Sequence, residues 1–170
     1  MISTFHWSVV AAYAAGLIYA AVSDARSLTI PNWLCGGIAL AFLPAAWMAG
    51  QSGVDMAQHY ALGVAFLVAG ALIFAAGIMG GGDVKLLAAI APWLDFELVG
   101  RFLILVALIG GGVALCVLAV RRLPFLASVR SRIPWLAGDE SGASQAVPYG
   151  IAIAMAALWV LPKLTILPVH

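Results

Sequence analysis

The chain has 170 residues, of which 65% are hydrophobic and 9% charged, with a formal net charge of +1. A mean hydropathy of +1.10 lies far above that of water-soluble domains, which excludes a soluble enzyme or module and predicts an integral membrane protein. The net charge itself says nothing about nucleic acid, but no basic run is dense enough to grip phosphates, which argues against nucleic acid as a partner.

Apolar stretches long enough to span about 30 Å of hydrocarbon need about 20 residues each. The first runs from Trp7 to Val22. No Lys or Arg precedes it, so it lacks the basic region of a cleavable signal peptide and reads as a permanent helix. A polar break follows, Ser23 to Asn32, in which Pro31 suits the first turn of a new helix. The second span runs from Trp33 to Ala49, with Pro44 as a kink, and Gly50 to Gln58 reads as a polar turn. The third runs from His59 to Met79 and ends in the flexible Gly80-Gly81-Gly82-Asp83. Val84 to Leu94 is apolar but short, either a brief helix extended into the glycines or a re-entrant element. Asp95 to Gly100 reads as a turn and Arg101 to Val120 as the fifth span. Arg121 to Gln145 is the longest polar stretch, and Ala146 to Leu161 closes the series. The predicted fold is all-α, a polytopic six-helix membrane bundle forming one domain over residues 1–170.

Orientation follows from the basic residues. With six crossings, Arg26, Lys85, Arg121, Arg122, Arg130 and Arg132 share one side, and only Arg101 and Lys163 the other. That bias puts the first side in the cytoplasm and both termini outside. If the short fourth segment does not cross, the bias vanishes. The same parity brings Asp24 and Asp83 to one face, since each follows a helix running inward.

Each aspartate alone has a plain reading. Asp24 could be solvated or cap the next turn, and Asp83 could cap the helix that begins at Val84. As a pair they offer chemistry. Two close carboxylates cannot both ionise cheaply, so one keeps a proton and the two divide the roles of acid and base. Such a dyad can activate water and protonate a leaving amine without metal or covalent intermediate. Glycines beside it allow close approach of a substrate strand. No other catalytic set competes. His6, His59 and His170 are widely spaced and read as interfacial residues, and G-x-S-x-G, H-E-x-x-H and P-loop motifs are missing. Cys35 and Cys116 read as buried small hydrophobes. Trp7, Trp33, Trp47, Tyr60, Trp93 and Trp159 read as interfacial anchors or core. The Arg and apolar residues of Arg121 to Gln145 suit a segment lying on anionic lipid, and Asp139 and Glu140 could attract a basic leader peptide.

Asp24 followed by Ile30-Pro31-Asn32, then Gly80-Gly81-Gly82-Asp83-Val84-Lys85, resembles the type IV prepilin peptidases, membrane aspartic proteases. The late Val147-Pro148-Tyr149-Gly150 resembles the P-[YF]-G element of the same family. The resemblance implies that Asp24 and Asp83 are the catalytic pair, with Pro31, Asn32, Gly80, Gly81, Gly82, Lys85, Pro148, Tyr149 and Gly150 as supporting residues. Lys85 could bias the charge of the pair, hold a lipid phosphate or simply snorkel, and Asn32 could hydrogen-bond near Asp24. Gly150 permits close helix packing. Long family members carry paired C-x-x-C motifs and also N-methylate the product. This chain has no C-x-x-C and resembles the short forms serving Flp (tight-adherence) pili or archaeal preflagellins. The implied activity is removal of a prepilin leader at the cytoplasmic face of the inner membrane, without methylation, metal or cofactor. Two other classes compete with it: a proton-coupled small transporter, and a non-catalytic assembly protein of a pilus or secretion apparatus.

Overall fold

The computed structural model describes residues 2–123, 127–131, 133, 135, 136, 147–164, 166 and 167. Among them, secondary structure is entirely helical: α1 (Ile2–Ser27), α2 (Asn32–Met48), α3 (Gly53–Ala75), α4 (Gly81–Ile90), α5 (Phe96–Arg122), α6 (Ala127–Arg130) and α7 (Tyr149–Val160). Short 3-10 turns extend α4 over Ala91–Trp93 and α7 over Leu161–Lys163. Three helices are long and apolar enough to cross a membrane: α1 over Thr4–Ser27, α3 and α5. The other apolar helices are shorter.

Several boundaries differ from those expected. The first helix does not stop at Val22 but runs to Ser27, which puts Asp24 in its last turn and not in a break. Hydroxyls make this possible. Ser27 donates to the Ser23 carbonyl (2.9 Å), Ser23 donates to the Thr29 carbonyl (2.7 Å), and Ser27 and Thr29 share a bond of 2.6 Å. The polar residues that suggest a break therefore bind the backbone at the helix end. Leu28 then turns the chain in the left-handed region (φ 52°), a place glycine usually takes. Pro31 sits one residue before the expected position, as the N-cap of α2.

Gly50 to Gln58 is mostly helix and not a turn. Ser52 and Asp55 form a reciprocal capping box that starts α3 at Gly53, a signal the expected polar turn overlooks. Consequently His59 lies inside α3 and is buried, its ring between Phe42 (5.2 Å) and Phe96 (5.9 Å). His6 is buried too. His170 lies outside the described residues. Asp95 is the N-cap of α5, so the expected turn through Gly100, and Arg101 with it, belong to that helix. Helix α4 starts at Gly81, so Gly81 and Gly82 form its first turn and are not a loose break. The bend lies just upstream, with Gly77 at φ 71°. Cys35 is buried as expected, whereas Cys116 is exposed on the outward surface of α5.

Helices α2 and α4 pack on each other, as do α4 and α7, forming an inner row. Helix α1 packs on α2 and α7, α3 on α4, and α5 on α7. In hydrocarbon there is little hydrophobic gain from pairing helices, so small residues and close packing hold them together. Helix α7 is built for this. Ala152, Ala154, Ala156, Ala157 and Ile153 are all fully buried. Gly70 of α3 faces Val84 of α4 so closely that a Cβ there would lie 2.6 Å from Val84 Cγ1. At the core centre Trp93 stacks on Tyr13 (centroids 4.0 Å) and its indole N–H donates to the Ile38 carbonyl at 2.9 Å. Trp33, Trp47 and Trp159 are largely exposed, as anchors would be.

Candidate active site

Asp24 and Asp83 are both buried, at 4% and 8% exposure. They come from α1 and α4, which are joined through α2 and α7. The two lie close enough that the Asp24 charge acts on Asp83. Each is oriented by backbone donors. The Asp24 carboxylate accepts from the N–H groups of Gly150 and Ile151, the second and third residues of α7. Ile151 N–H also reaches the Pro148 carbonyl at 3.3 Å, and a helix N-terminus is suited to an anion. The second oxygen, Asp24 Oδ2, is buried without a hydrogen-bond partner among the described residues. Asp83 is the third residue of α4 and accepts from the N–H of Gly80, the N-cap. It therefore caps α4 from inside its first turn, so part of the plain capping reading holds, with the helix starting at Gly81 and not at Val84.

The glycines have particular neighbours. A Cβ on Gly150 would lie 2.7 Å from Asp24 Oδ2 and 2.8 Å from Ile30 Cδ1. Gly150 thus makes room for a carboxylate as well as for a helix. A Cβ on Gly80 would sit 3.0 Å from Asp83 Oδ2, and one on Gly82 3.5 Å from Ile30 Cβ. Gly81 faces the ring of Phe74. Ile30 accordingly reaches from Gly150, beside Asp24, to Gly82, beside Asp83. It is buried and was not among the residues singled out; its place just before Pro31-Asn32 is the only sequence signal for it.

Lys85 donates to the Asn32 side-chain oxygen at 3.0 Å, tying α4 to the start of α2. Asn32 is thus joined to Lys85 and not to Asp24. Pro148 is the N-cap of α7 and is buried. Tyr149 packs across α5 at Gly110, where a Cβ would lie 3.0 Å from the ring. Of the segment expected to lie on lipid, Trp135 and Leu136 behave differently. The Trp135 indole N–H donates to the Ala25 carbonyl at 2.9 Å, and Leu136 is buried. Asp139 and Glu140 lie outside the described residues.

The fold and these groups define a helical membrane protein whose most buried carboxylates among the described residues lie at the end of the long α1 and the start of the short α4. The family model for the type IV leader peptidase family matches residues 11–115, more than half of the chain and a span that includes Asp24 and Asp83. The chain belongs to that family and is a peptidase acting on prepilin-type leaders. Neither the curated proteins nor the solved structures provide a match.

Proposed function

We propose that Asp24 and Asp83 are the catalytic pair of an aspartic endopeptidase. It removes the leader from prepilins of the Flp type at the cytoplasmic face of the inner membrane. The observation that carries this reading is the convergence of two buried carboxylates, each held by backbone N–H groups, in a chain of the leader peptidase family. The two share one proton. The carboxylate takes a proton from water as the oxygen attacks the scissile carbonyl, and the carboxyl donates its proton to the departing amine. The titration belongs to the pair, so neither residue alone is the acid or the base. Pro31, Asn32, Gly80, Gly81, Gly82, Lys85, Pro148, Tyr149 and Gly150 support the pair by fixing helix starts and leaving space.

The substrate is a short apolar pilin with a basic leader, cut after a glycine or similar small residue. With only Cys35 and Cys116, the sequence has no paired C-x-x-C motif, which favours the short, non-methylating form. One domain over 1–170 crosses the membrane six times with both termini outside. The distribution of Lys and Arg supports that count. Family membership favours a peptidase over a transporter or a passive assembly protein.

The test is co-expression with candidate prepilins in cells lacking their own peptidase. Asp24→Asn and Asp83→Asn keep the shape and an acceptor oxygen but remove the charge. Both variants should insert normally and leave the leader uncut. Leader removal by both would reject the aspartic mechanism and leave the two residues as caps.

A further inference from the structure

We infer that Trp135 is a positioning residue for Asp24, acting through the backbone at the end of α1; this rests on the proposed role of Asp24. A helix end leaves its last four carbonyls without intrahelical partners. At the end of α1 the Asp24 carbonyl still accepts from Leu28 N–H at 2.9 Å. The next carbonyl, Ala25, would look to residue 29, but Leu28 turns the chain away at φ 52°. The Trp135 indole N–H fills that vacancy at 2.9 Å, from a residue 110 positions further along the chain.

Three features make the contact more than a local tie. It falls on the residue directly after Asp24. Leu136, next to Trp135, is 7% exposed, so it too is packed in and not draped on the surface. Finally, Asp24 Oδ2 has no hydrogen bond of its own among the described residues, so the carboxylate is placed by the α7 N–H groups on its other oxygen and by the backbone that carries it. Helix α7 holds the carboxylate through the N–H groups of Gly150 and Ile151. Trp135 holds the peptide behind it. Trp135 thereby clamps the catalytic end of α1, though no substrate contact by the indole is implied.

The measurement is steady-state cleavage of a prepilin by purified enzyme in lipid nanodiscs, with thermal unfolding of each variant. Trp135→Phe keeps the apolar ring and removes the N–H. It should lower kcat about tenfold, as expected for a small misplacement of a reacting group, with KM nearly unchanged. Leu136→Ala removes the neighbouring buried side chain and keeps the N–H. It should lower the unfolding temperature with kcat close to wild type. The inference is overturned if Trp135→Phe cleaves at the wild-type rate, or if only its KM changes. It is also overturned if both variants lose kcat in proportion to stability, or if Trp135→Phe alone fails to fold. Wild type, Asp24→Asn and Asp83→Asn run alongside. Cleavage by wild type but by neither Asn variant upholds the aspartic reading whatever Trp135→Phe does. Wild type failing to cut, or both Asn variants cutting, removes that reading and this inference together.

Discussion

At Gly150 the requirement for a missing side chain is chemical as much as steric. A methyl group there would press on both Asp24 Oδ2, at 2.7 Å, and Ile30 Cδ1, at 2.8 Å. Neither neighbour can retreat easily, since Ile30 also lies against Gly82. Gly150→Ala should therefore keep its helical content and lose about 100-fold in kcat on a prepilin, the scale expected for a shift of about 1 Å in a reacting group. Circular dichroism and single-turnover cleavage on the same preparation check both halves. Undiminished cleavage would mean that the carboxylate position tolerates such a shift. The two aspartates were legible in the sequence because carboxylates are costly beside apolar spans. The Pro148-Tyr149-Gly150 motif was visible too. What it does for Asp24 was not, because that contact joins residues more than a hundred positions apart. The role of Ile30 was hidden for a similar reason: its place before Pro31-Asn32 marks a helix start but not a position between two acids.

Among the elements, α4 depends on α3 for its place. The Gly70–Val84 approach lets α4 sit close enough to present Asp83, the residue before Val84. Gly70→Ala places a Cβ 2.6 Å from Val84 Cγ1 and should cost roughly 1–3 kcal/mol, as overpacking typically does. Cleavage should fall as α4 moves. Val84→Ala opens the missing space, so the double variant should recover most of the lost stability, seen as non-additivity in a mutant cycle. Strict additivity would show that the helices meet elsewhere. The order of the apolar helices was readable from apolar stretches, whereas their ends and the four-residue α6 were not. Polar residues suggest breaks at Ser23 to Asn32 and at Gly50 to Gln58. In both places hydroxyl or carboxylate side chains bind the backbone of a helix end. The composition of a cap and of a loop is the same; only the spacing Ser52-x-x-Asp55 distinguished them.

For the molecule as a whole, length and burial run in opposite directions. The long helices α1, α3 and α5 bury only 28%, 17% and 11% of their apolar windows. The short ones, α2, α4 and α7, form the inner row and carry much of the buried core. At 1.5 Å per residue, the 17 residues of α2 reach about 25 Å and the 12 of α7 less, short of a bilayer's ~30 Å. A helix shielded by protein need not match the hydrocarbon thickness, because irregular backbone at membrane depth is tolerated where protein covers it. The same arrangement explains why Val84 to Leu94 looked too short to cross. If α4 with its 3-10 turn does cross, Arg26 and Lys85 face the cytoplasm, while Trp47 and Glu97 face the other side. All four are exposed, so each can be replaced by a single cysteine after Cys35 and Cys116 are changed to Ala. A membrane-impermeant maleimide should then label the cysteines at 26 and 85 only in inverted vesicles, and those at 47 and 97 only in intact spheroplasts. Labelling at 97 from the cytoplasmic side would make α4 re-entrant and invert every loop after it. Labelling of 26 and 85 from different sides would separate Asp24 from Asp83 and end the proposal of a shared proton.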